Sequence, residues 1–153
     1  MEEESQKNFP LGALTYQINA AFLDVYRELG HGFSETVCCR ALVIVLLERG
    51  FEVDVEHHIP VLFHGEIIGT FRADIVVNKR VIVEVKATPV LEGHAVAQAL
   101  NYLKAAGGGI GLVVCFGKRP EYKRLVMGSN PTNSLPLLRR HPDDMGPQTV
   151  PTS

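Results

Sequence analysis

Two runs of alternating apolar residues flank Asn78-Lys79-Arg80: Ala73, Ile75 and Val77 before it, and Val81, Val83 and Val85 after it. In a strand, side chains alternate between faces, so a one-residue slip in pairing sends a whole set to the wrong side. A hairpin that keeps both sets together pairs Val77 with Val81 around a three-residue turn. That register sets Ile75 opposite Val83 and Asp74 opposite Glu84, with the two acidic Cβ atoms about 4.5–5.5 Å apart. Like charges so placed repel, and a divalent cation between them removes the repulsion, because hard cations take carboxylate oxygen. Lys86 lies two residues beyond Glu84, beside the pair. Glu84 and Lys86 alternating with valines are also what an ordinary half-exposed strand shows. Against that plain account stand the acid facing an acid and the helical segments on either side of the hairpin. With helices before and after the hairpin, both sheet faces are expected to be covered, and a covered acid pair is costly without a cation.

The helical segments are read from spacing. Leu14, Ile18, Phe22, Val25 and Leu29 form one stripe of an amphipathic helix that stops at Gly30 and Gly32. Ser34 is an N-cap for a second helix running to about Arg49, apolar almost all round and therefore expected to be largely buried. Three β-rich runs follow, Phe51 to Phe63, Ile67 to Val77 and Val81 to Ala87, separated by turns. Leu91 to Ala106 returns to helical spacing and ends at Gly107-Gly108-Gly109. Ile110 to Phe116 reads as a fourth strand and Lys123 to Met127 as a fifth. The order predicts an α/β domain with a mixed sheet.

On the third helix, Leu91, Ala95, Ala99 and Ala106 define the inward face, and Gln98 and Tyr102 project within that stripe. A Gln there needs a partner. It either caps a backbone group of the sheet or lines the pocket of Asp74, Glu84 and Lys86 together with Tyr102. Glu35, in the first turn of the second helix, is accounted for by the helix dipole alone.

Composition sets the outer limits. The chain has 153 residues and a formal net charge of −2, with hydrophobic residues at 46%. That matches a single globular domain with a real core. No apolar run reaches the roughly 18 residues of a membrane span. The acidic start, Met-Glu-Glu-Glu, is unlike the n-region of a signal peptide. Cys38, Cys39 and Cys115 form neither a CxxC pair nor an even set, so a disulfide framework and a structural zinc site are not expected. A reduced, cytoplasmic setting is the expectation. Residues 1–10 are expected to be loose, 11–127 to fold as one unit, and 128–153 to be a flexible Pro-rich tail. His57 and His58 are adjacent on a strand and point to opposite faces, a poor metal pair. The glycines at 107–109 lack the Lys-Ser/Thr of a phosphate-binding loop.

Asp74, then Glu84-Val85-Lys86, then Gln98-Ala99-Leu100-Asn101-Tyr102 resemble the signature of the PD-(D/E)xK nuclease superfamily with its QxxxY helix. Gly32-Phe33-Ser34-Glu35-Thr36-Val37-Cys38 is similar to the motif of the GxxExxY proteins, a branch of that superfamily, with Cys38 where the family has Tyr. Ala73 stands where the superfamily name implies Pro. The likeness extends through Gly65 to Asp74 and Gly111 to Gly117, and spans roughly Leu14 to Val126. It implies a restriction-endonuclease-like α-β-β-β-α-β core, a mixed sheet flanked by helices.

The resemblance further implies Asp74 and Glu84 as ligands of a divalent metal, magnesium with manganese as a substitute, and the Val85 carbonyl as a further ligand. Lys86 would orient or polarise the attacking water, Glu35 would complete the acidic site, and Gln98 and Tyr102 would line it. The implied activity is metal-dependent hydrolysis of phosphodiester bonds in DNA or RNA. Two other classes compete. One is a nuclease-fold module that binds nucleic acid or regulates, with negligible turnover, which the modest charge favours. The other is a structural protein that forms a homodimer through the sheet edge.

Overall fold

A computed structural model describes residues 11–128. The N-terminal segment 1–10, and all of the expected tail but Gly128, lie outside the described residues. The elements are α1 (Leu11–Leu29), α2 (Glu35–Glu48), β1 (Val53–Phe63), β2 (Glu66–Val77), β3 (Val81–Lys86), α3 (Gly93–Ala105), β4 (Gly109–Phe116) and β5 (Pro120–Met127). The strands form one mixed sheet in the order β1-β2-β3-β4-β5. β3 and β4 are parallel and the other neighbours antiparallel. A parallel pair needs a crossover, and α3 supplies it.

The helices divide between the two faces. Leu14, Ile18 and Phe22 of α1 and Cys38, Leu42 and Leu46 of α2 pack against Ile75, Val77, Val81, Val83, Val85 and the even-numbered apolar residues of β4. Phe22 and Phe116 meet edge to face, ring centroids 5.0 Å apart. On the other face Ala99, Tyr102 and Leu103 of α3, with Ala106 just after it, cover Ile59, Ala73, Val76, Ile82 and Val113. β3 thus has helices on both sides, which is why five of its six residues are buried. The Ser34 side chain caps α2 by accepting from the Val37 N–H, as its sequence position predicts.

α2 departs from the sequence expectation. Only Cys38, Leu42 and Leu46 are buried, while Val37, Ile44 and Leu47 are exposed. One stripe of the helix meets α1 and the sheet, and no described element covers its outer side.

The backbone beyond β3 is held by close contacts. Gly117 sits where a Cβ would lie 2.5 Å from the Pro89 oxygen and 2.8 Å from that of Thr88. The Lys118 N–H donates to the Pro89 carbonyl at 2.9 Å, and the Tyr26 hydroxyl donates to the Gly117 carbonyl at 2.7 Å. Gly117→Ala should therefore destabilise by about 1–3 kcal/mol, the usual cost of forcing atoms into packed structure. Urea unfolding checks it: an unchanged midpoint would mean that the segment after Lys86 yields freely.

A candidate active site where the sheet splits

The hairpin register is the one its alternation predicts, Val77 with Val81 and Ile75 with Val83. The ladder then stops, and Asp74 and Glu84 meet through side chains. The Asp74 N–H donates to Glu84 Oε1 at 3.2 Å, and the Val85 N–H donates to Asp74 Oδ2 at 2.8 Å. Each carboxylate thus takes the place of a main-chain acceptor lost where β2 leaves β3.

The cause of the split is visible in both strands. Glu56 has φ 52°, a left-handed conformation uncommon outside glycine. On β1, Val53 packs with the α1/α2 face, yet Ile59, of the same parity, packs with the α3 face. On β2, Ile75 and Val77 lie with the first cluster and Ala73 with the second. The expectation that Ala73 shares a face with Ile75 is therefore corrected. Both strands change face at Glu56 and Asp74, and the strand pairing passes from Val55–Ile75 to His57–Ala73 without joining these two.

The split opens the acid pair to helices on both sides. From α3, Tyr102 is 7% exposed, and its hydroxyl is pushed up to about 12, first by burial and then by the charges of Glu84 and Asp74. Its ring meets Phe71 with centroids 4.7 Å apart. One turn earlier, Gln98 Oε1 accepts from Lys86 Nζ at 3.3 Å. Gln98 is exposed, so the expectation that it lies within the buried stripe is corrected, and its partner is the Lys86 ammonium rather than a backbone group of the sheet. From α2, the Cys39 thiol is also pushed up to about 12, by burial, then by Asp74, Glu84 and Glu56. The charges of both acids thus reach Cys39, and Glu56 falls opposite Asp74 between the pairs Val55–Ile75 and His57–Ala73, although the sequence pattern carries no sign of either. A charged residue in the middle of a β run is the only available signal for Glu56.

Glu84 is 3% exposed. Burial, followed by the charge of Asp74, pushes its carboxyl up to about 9, with Lys86 acting in the opposite direction. Glu35 is exposed on the first turn of α2, and its charge contributes, after burial, to raising the thiols of Cys38 and Cys115. Cys115 is the register partner of Lys86. No group of three His, Cys, Asp or Glu side chains is arranged to hold a metal among the described residues. Two carboxylates are nevertheless a sufficient protein contribution for magnesium, which usually keeps several waters and takes one or two carboxylates. A buried acid held protonated by its neighbour is the group that a cation would ionise. The donor set fits.

A pH dependence follows for the metal-free protein. Glu84 is raised from 4.5 to about 9, so the native state keeps a proton that the unfolded chain releases above about pH 4.5. Its stabilising contribution is complete below that pH and is lost as pH rises toward about 9, at up to about 1.4 kcal/mol per pH unit. Urea melts in EDTA from about pH 5 to pH 9 should show this fall, and Glu84→Gln should remove it. Equal slopes for the two proteins would place the charge penalty elsewhere.

A protein-family model described as the PD-(D/E)XK nuclease superfamily matches residues 12–125. No curated protein and no solved structure matches the chain.

Proposed function

Because the chain belongs to the PD-(D/E)XK nuclease superfamily, we propose that it is a metal-dependent nuclease that hydrolyses phosphodiester bonds of DNA or RNA. The observation that carries this reading is the Asp74–Glu84 pair at the strand split, Glu84 buried and Asp74 half-buried, with Lys86 hydrogen-bonded to Gln98. Asp74 and Glu84 would hold the ion, with the Val85 carbonyl as a further ligand and Glu35 completing the acidic site from α2. The ion is proposed to be magnesium, for which manganese can stand in. When bound, it supplies Lewis-acid polarisation of the phosphodiester and a lowered water pKa.

The protein's own residues do the rest. Gln98 fixes Lys86 Nζ, leaving further ammonium donors for the attacking water or the developing charge. Tyr102 keeps the α3 side of the pair dry and lines the site with Gln98. Gly32 to Cys38 supports placement in the GxxExxY branch, and three reduced cysteines support a cytoplasmic setting.

The test is incubation of the purified protein with single- and double-stranded DNA and RNA in Mg²⁺, Mn²⁺ or EDTA. Cleavage of at least one substrate with metal and none in EDTA is expected. Binding without cleavage would favour the regulatory module, a reading supported by the modest net charge of −2.

A homodimer has its own support. Leu62, Phe63, Ile67 and Ile68 at the β1–β2 tip are each more than half exposed. From Pro60 to Phe71 the chain carries Glu66 and no Lys or Arg, which disfavours a polyanion and favours a second copy as the partner. Sedimentation equilibrium should give a dimer for the wild type and a monomer for Ile68→Lys. A monomeric wild type would remove this partner.

A further inference from the structure

A groove of about 590 Å³ runs along β1 and is lined in part by Asp54, Glu56, His57, His58 and Arg72. It neighbours the site through Glu56, which falls opposite Asp74 between the pairs Val55–Ile75 and His57–Ala73. Arg72 precedes Asp74 by two residues on β2, and Glu56 is the residue at which both strands change face. The charge of Glu56 reaches Cys39, which also feels Asp74 and Glu84.

Arg72 and Glu56 form a loose pair, with 3.6 Å between nitrogen and oxygen and side chains 61% and 69% exposed. An exposed pair of this kind is worth about 0–1 kcal/mol, so stability does not explain it. A guanidinium has five donors in a fixed fork matched to phosphate oxygens, and at this distance Glu56 makes little use of them. Imidazole rings and a guanidinium plane are also surfaces on which an unpaired base stacks. The volume is that of a cleft for a small ligand, which suits a nucleotide or two of one strand.

Resting on the nuclease reading above, we propose that this groove is the path of a single-stranded nucleic acid leaving the acid pair, with Arg72 contacting a backbone phosphate. Glu56 is then a positioning residue that holds the fork when the groove is empty and competes with the phosphate when it is filled.

The test is fluorescence anisotropy with a labelled single-stranded oligonucleotide in Mg²⁺, in a Lys86→Ala background that slows cleavage, between roughly 50 and 200 mM salt. Arg72→Ala should weaken binding about tenfold and reduce the slope of log K against log salt by about 0.7, the release of one phosphate's counterions. Arg72→Lys should restore the slope. Glu56→Gln should tighten binding by about two- to fivefold, the scale of an exposed ion pair. Lys79, whose pair with Glu52 at 3.5 Å is similarly exposed, is the matched control in the turn before β3. Lys79→Ala should leave the slope closer to that of the parent.

An Arg72→Ala slope equal to the parent's, an equal loss for Lys79→Ala, or an effect seen only on duplex would overturn the groove. If wild type cleaves with metal while these results go against Arg72, only the groove falls. If the parent binds no nucleic acid, the nuclease reading falls with it. Arg72→Ala should melt within a few degrees of the parent, and a large drop would instead assign Arg72 a structural role and reject the proposal.

Discussion

Lys86→Ala is expected to bind metal as the wild type does and to cleave nucleic acid at least about a hundredfold more slowly. Lys86 Nζ reaches Gln98 Oε1 at 3.3 Å, and its charge lowers the proton affinity of Glu84. It could serve only as a counter-ion. In that case its loss would weaken the fold, and saturating metal would restore both stability and activity. If it acts on the water or on developing charge, the acids and the Val85 carbonyl remain intact without it. The metal-induced rise in melting temperature should then persist or grow, because a competing cation is gone. Loss of one preorganised electrostatic or acid–base group costs about two orders of magnitude or more. Lys86→Arg should rescue little, since a planar guanidinium does not replace a compact ammonium. Single-turnover cleavage and thermal shift across a metal titration separate the two roles. Full activity of Lys86→Ala at saturating metal would reduce Lys86 to a counter-ion.

Glu84→Gln should have the larger effect on metal response. Binding to the native state alone stabilises by RT ln(1 + [L]/Kd), about 2.7 kcal/mol at a hundredfold excess. Wild type should show a rise of that order with Mn²⁺, and Glu84→Gln almost none. The metal-free variant should be no less stable than wild type at neutral pH. The amide oxygen still accepts the Asp74 N–H, and no carboxyl raised to about 9 remains to be ionised. Cleavage should fall by more than about a hundredfold. The same metal-induced shift in both proteins would reject Asp74 and Glu84 as a shared site.

Much of the scaffold is legible in the chain, for reasons that can be named. The register through Val77–Val81 and Ile75–Val83 follows from parity and turn length, because a slip would invert every side chain. Ser34 marks the start of α2 because a serine oxygen satisfies an N–H that the helix cannot. Tyr102 stands out as a polar group in a buried stripe, whereas Gln98, read into the same stripe, is exposed.

The change of face at Glu56 and Asp74 is not legible. Val53, Val55, Ile59 and Val61 keep odd numbering straight through it, as do Phe71, Ala73, Ile75 and Val77 on the partner strand. Helices cover both faces, so apolar residues are required on either side of the kink, and the periodicity reads as unbroken. Glu56 is missed for the same reason, since the periodicity gives no mark of the residue at which the strand turns. The burial of α2 is over-read because composition reports how apolar a helix is, not which side another element covers.

The central claim is that an ion held by Asp74 and Glu84 contacts the phosphate that is cleaved. Single-turnover cleavage of a substrate with one nonbridging oxygen at the scissile phosphate replaced by sulfur tests this directly, with each diastereomer assayed in Mg²⁺ and in Mn²⁺. Magnesium prefers oxygen and manganese tolerates sulfur better. Activity on at least one diastereomer should collapse in Mg²⁺ and return in Mn²⁺, while the all-oxygen substrate is cleaved with both ions. Equal cleavage of all substrates with both ions, or cleavage that persists in EDTA, would contradict the metal site.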